Sequence, residues 1–124
     1  AWFLRESGRE TGLKINLEAL LKPELEIGVP GGQELLEFSD ALLGPDKDRM
    51  DQARLGVEDA LGHQGVVAAA AIAATFTKND RLANGTGIPS ELRMLRNSKE
   101  IRHELGLNNF RTAANTIRHY PDEM

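Results

Sequence analysis

The chain has 124 residues and no cysteine, which removes disulfides, thiolate metal sites and cysteine nucleophiles from it. Hydrophobic residues at 40% and charged residues at 27% suit one globular domain with a single core. The net charge of −4 argues against a general nucleic-acid binder and leaves only the second half open as an exception, because residues 1–62 carry 7 basic and 13 acidic residues and residues 63–124 carry 8 and 6.

The longest unbroken apolar run, Val66 to Ala74, falls well short of the roughly 18 residues of a membrane span. No basic-then-apolar leader pattern opens the chain, and a cysteine-free sequence fits a cytoplasmic address.

Helix signals recur from end to end, and no segment alternates apolar and polar residues over six positions. Trp2–Thr11 reads as a helix stopped by Gly12. Asn16 is placed to cap Leu17–Lys22, which Pro23 ends. Glu24–Gly32, rich in glycine and proline, is the clearest loop. Gln33–Leu43 is a helix closed by Gly44. Pro45 and Asp46 open the next, which runs through Met50, Ala53, Val57 and Leu61 to Gly62.

After a short break at His63–Gly65, Val66–Asn84 is the longest helical stretch, terminated by Gly85 and Gly87. Its first half is apolar all round, which predicts the central helix of a bundle or one packed at a subunit contact. Three shorter helices follow Pro89: Ser90–Arg96, Lys99–Leu105 capped by Ser98, and Phe110–Tyr120 capped by Asn108 or Asn109. The expected fold is an all-α bundle of about six to seven helices.

Candidate chemistry is sparse. His63, His103 and His119 form no HExxH or ExxH pair, so no metal site is assigned. His63, between two glycines, is either a general base or a loop-packing residue, and packing is the commoner role. Ser7, Ser39, Ser90 and Ser98 lie in no nucleophile motif, and Ser90 and Ser98 read as helix caps. Gly85-Thr86-Gly87 follows a helix and is a stop signal, not a phosphate loop.

Arg93, Arg96, Lys99 and Arg102 recur every third residue. With Glu91, Glu100 and Glu104 interleaved, they read as a solvated face laced with i,i+4 pairs; the alternative is a patch for an anion or acidic partner. Ser98–Leu107 has the form of a first helix and turn of a helix-turn-helix, with Asn108–Tyr120 as a recognition helix, although Arg102 stands where that motif is usually small.

One stretch is more specific. Leu61-Gly62-His63, the alanine run Ala68–Ala74, and Thr77-Lys78-Asn79-Asp80-Arg81-Leu82-Ala83-Asn84-Gly85-Thr86-Gly87-Ile88-Pro89 together resemble the C-terminal signature of the carboxymuconolactone decarboxylase and alkylhydroperoxidase-D-like family. Leu35–Leu42 resembles the helix ahead of that signature, and Arg9-Glu10-Thr11-Gly12-Leu13 resembles the Arg-x-x-Gly-Leu closing the family's active-site helix.

The resemblance covers residues 1–89 as a helical domain, with residues 90–124 as a helical extension of it. It implies a homo-oligomer, trimer or hexamer, with an additional protein chain as a possible partner. It also places the family's proton-relay histidine at Leu4 and both cysteines ahead of Ala1, so no catalytic, cofactor or metal residue carries over. Asn79, Asp80 and Arg81 match the signature and are expected to lock a helix end through charged hydrogen bonds.

The expected function is therefore a self-associating structural or binding module of the antioxidant family's fold, without redox chemistry of its own. One alternative is a peroxidase- or decarboxylase-type enzyme whose site lies partly outside these residues, with Trp2 and Phe3 lining its pocket. Another is DNA binding through residues 98–120.

Overall fold

The computed structural model describes residues 1–124, an all-α bundle with no strand. Its helices are α1 (Trp2–Thr11), α2 (Gly32–Leu43), α3 (Lys47–Thr86), α4 (Leu92–Asn97), α5 (Lys99–Glu104) and α6 (Ala114–His119). Short 3₁₀ turns at Leu17–Leu20, Leu107–Asn109, Arg111–Ala113 and Pro121–Glu123 complete the chain.

The central unit is the α2–α3 hairpin. Phe38 and Ala41 on α2 meet Ala53 and Val57 on α3, and all four are buried. Leu35, Met50, Val66, Ala69 and Ala70 pack around them. At the entry to α3, Pro45 lies ahead of the helix instead of in its first turn, and Asp46 is the N-cap, its Oδ1 accepting from the Arg49 N–H at 3.0 Å. Arg49 then reaches back across the hairpin. Its Nε and Nη2 donate to the two Glu37 oxygens at 2.7 and 2.8 Å, and Nη2 also donates to Asp40 at 2.6 Å. Hydrogen bonding from Arg49 holds the Glu37 carboxyl below its ordinary range.

A second core joins the two ends of the chain. Leu17, Ile101 and Leu105 are buried together, with Trp2, Leu4, Ile15 and Leu107 against them. Residues after Pro89 thus pack on α1 and on the Leu17–Leu20 turn. Asn16 caps that turn through Oδ1 and the Glu18 N–H at 3.1 Å, and its own N–H donates to the Ile27 carbonyl at 3.0 Å.

Several expectations are corrected. The break in the long helix falls at Gly62 alone, with φ 74° and ψ 173°, and helix resumes at His63. That backbone geometry is open essentially only to glycine. Gly85 is helical, and Gly87, left-handed at φ 68°, ends α3 by donating its N–H to the Ala83 carbonyl.

Val66–Ala74 is not a central helix: only one face lies against α2, and Val67 and Ile72 are exposed. Ser98 does not cap α5, because its hydroxyl donates back to the Met94 carbonyl at 2.6 Å. Ser90 does not cap α4 either; its N–H donates to Thr116 Oγ1 at 3.0 Å. The predicted Phe110–Tyr120 helix is broken into a 3₁₀ turn and the six-residue α6, with Phe110 extended at φ −69° and ψ 140°.

Candidate interaction surface

The surface follows from how little of the chain is covered. Only 14 of 124 residues are buried, and the accessible area is 8782 Å². A compact monomer of 13.6 kDa exposes about 6,600 Å², so this chain exposes about 2,200 Å² more than its mass requires. Within α3 only Ala53 and Val57 are buried, so no residue of the helix after Gly62 is. Val66, Ala69, Ala70, Ala73 and Thr77 form the half-buried stripe. Ala68, Ile72 and Phe76, each one turn apart, form a second stripe about a third of a turn round the axis. Ile72 and Phe76 are 59% and 63% exposed.

The same helix carries no charged side chain from Ala60 to Thr77. It is long and apolar enough to cross a membrane by length and composition, with a mean hydropathy of 1.3 in its most apolar window, none of which is buried. Gly62 interrupts it, however. The uncharged segment His63–Thr77 on one axis is about 22 Å long, against a hydrocarbon core of about 30 Å.

The charges beyond it have no partner inside the chain. Lys78, Asp80 and Arg81 make no ion pair and no side-chain hydrogen bond, so the expected lock at the helix end does not form. Asn79, with Leu82, Ala83, Ile88, Pro89 and His119, lines an open groove of about 700 Å³ between the end of α3 and α6.

The other predicted residues are dispersed. His63 stands on the surface with Nδ1 3.6 Å from Glu58 Oε1. His103 is exposed, and no group of three His, Asp or Glu side chains converges anywhere. Leu4, the position the resemblance gives to a proton relay, packs in the terminal core beside Trp2 and supplies no titratable group. Trp2 is half-buried against the terminal core, and Phe3 is exposed and stacks edge-on to it with ring centres 5.1 Å apart.

The stripe of cations after Pro89 does not form a ladder of i,i+4 pairs. Ser98 divides α4 from α5, and Arg96 pairs with Glu123 at 2.8 Å. Arg102 turns inward and is 8% exposed. It donates to the Leu95 carbonyl at 3.0 Å, the Glu123 carbonyl at 2.8 Å and Asn108 Oδ1 at 2.7 Å. Sequence reasoning missed this role. The one signal was Arg102 standing at a position that the local pattern reserves for a small, inward-facing residue.

The recognition helix required for duplex reading is absent, since residues 107–119 are two 3₁₀ turns and one short helix. Comparison with protein-family models, with curated proteins and with solved structures finds no match to this chain.

Proposed function

We propose that the chain is a self-associating all-α module, of the carboxymuconolactone decarboxylase and alkylhydroperoxidase-D-like kind, whose exposed α3 face is buried against further copies of itself. The observation that carries this reading is the area exposed beyond that of a compact monomer. For two copies the excess lies within the roughly 2,000–5,000 Å² typical of obligate interfaces. Its apolar character supports the same reading, because Ile72 and Phe76 gain nothing from standing in water.

The module contributes no thiol chemistry, having no cysteine, and its role is to assemble or to present a binding surface. The test is the mass in solution by light scattering across micromolar concentrations. The expected result is an assembly of the native chain. Ile72→Asp and Phe76→Asp should each weaken it about a hundredfold or more, since each places a carboxylate in an apolar contact. A monomer of 13.6 kDa at 100 µM would overturn the reading.

A further inference from the structure

The guanidinium of Arg102 is buried, and no carboxylate bonds it. The Glu123 carboxylate feels its charge but is bonded instead to Arg96, at 2.8 and 2.9 Å. Of the five guanidinium N–H groups, four meet oxygen acceptors: the Ser98 hydroxyl, Asn108 Oδ1 and the Leu95 and Glu123 carbonyls. The remaining one, on Nη1, meets only the Met124 sulfur at 3.5 Å. A thioether is a weak acceptor, so this donor is the least satisfied of the five. Arg102 and Met124 both line a pocket of about 270 Å³. Ser90 and Thr112 line it too, and neither hydroxyl donates a hydrogen bond within the chain. Leu107, Phe110 and Ala113 supply apolar wall.

We propose that this pocket binds a small organic carboxylate, whose head takes the place of the Met124 sulfur on Arg102 and whose apolar body rests on Leu107, Phe110 and Ala113. The carboxylate supplies what the buried cation lacks, an opposite charge in hydrogen-bonding contact. A bond between two ionised groups is shorter and stronger than one to a neutral acceptor. The Ser90 and Thr112 hydroxyls are further donors for the same head. Methionine has three rotatable bonds, so its sulfur can leave Arg102 without moving the backbone. The volume lies just under the roughly 300–1,000 Å³ of sites for drug-sized ligands, which restricts the occupant to a small molecule. An inorganic oxyanion would satisfy the polar end and leave the apolar wall in water. The site is separate from the exposed α3 face and does not depend on self-association.

The test titrates the full chain with sodium butyrate and follows the Arg102 Nε–H and the backbone amides of residues 107–116 by nitrogen-15 NMR. n-Butanol, which has the same body without the charge, and inorganic phosphate, which has charge without the body, are titrated in parallel. The expected result is saturable shifts at these positions with butyrate, and affinity at least about tenfold lower for both controls. Ala113→Leu, checked for unchanged far-UV circular dichroism, fills the pocket and should weaken butyrate about tenfold or more. Phe110→Ala, at an exposed residue that the fold can spare, should weaken it about threefold and reports independently if the leucine variant fails to fold. The proposal is overturned if butyrate gives no saturable shift at Arg102, or if butanol or phosphate matches it. Native affinity in Phe110→Ala, or in a folded Ala113→Leu chain, overturns it as well.

Discussion

Arg102 is the residue on which the C-terminal segment is assembled. A guanidinium offers five donors in a fixed fork, and here they serve the Leu95 and Glu123 carbonyls, Asn108 and, at 3.3 Å, the Ser98 hydroxyl. Its charge is buried without a carboxylate in direct contact, so these neutral acceptors replace its hydration. Arg102→Met should lower unfolding free energy by about 2–4 kcal/mol, because it strands those acceptors as well as losing the donors. Arg102→Lys should recover only part of this, since an ammonium lacks the fork. Urea denaturation followed by far-UV circular dichroism measures both. Gly28 makes a comparable demand through the backbone. Its φ is +85°, and a Cβ there would stand 2.2 Å from the Lys14 carbonyl oxygen. Gly28→Ala should therefore cost more than the roughly 1 kcal/mol of an ordinary left-handed alanine, measured in the same way.

The α2–α3 hairpin joins apolar packing to one charge clamp. Glu37 is ionised more readily in the folded chain than in the unfolded one, because Arg49 bonds both its oxygens. Its contribution is therefore complete above the unfolded carboxylate value, near pH 4.3, and is lost as pH falls through the lower folded value. Glu37→Gln should flatten that part of the acid limb of the stability curve. It should cost under about 1 kcal/mol at neutral pH, since the pair is nearly half exposed.

Much of this element was legible in the sequence. Asn16 caps its turn as its place in the sequence predicts, and the acid expected at the opening of α3, Asp46, stands there as its cap, because each side-chain oxygen meets an orphan N–H. Less legible were choices made by distant partners. Ser90 and Ser98 look like caps locally, yet Thr116 and the Met94 carbonyl claim them. Asn108 and Asn109 both look like caps for a helix at Phe110, but Asn108 is the acceptor for Arg102, and Phe110 itself is extended. The all-apolar helix predicted its own burial, but the chain supplies only one covering face. Gly62→Ala tests how far that face depends on the bend. It should cost about 1–3 kcal/mol, the scale of forcing a side chain into that backbone region, read as a fall in thermal midpoint.

For the whole molecule, the proposed self-association would make stability and assembly one equilibrium. A chain with two small cores, four buried residues in one and three in the other, has little to hold it in isolation. Burial of the α3 face would add the remainder, so the thermal midpoint should rise with protein concentration. Scans over a hundredfold dilution should show that rise for the native chain and lose it in Ile72→Asp. A midpoint independent of concentration in the native chain would separate folding from assembly.

The terminal core also sets an order of events when the chain folds. The hairpin closes over a short separation, Phe38 to Val57, whereas the terminal core must bring Leu17 to Ile101. Contacts of low sequence separation form sooner. The single tryptophan, Trp2, lies in the later of the two. In a stopped-flow experiment the helical signal at 222 nm should recover ahead of tryptophan fluorescence. The emission of this one ring then times the meeting of the chain's two ends.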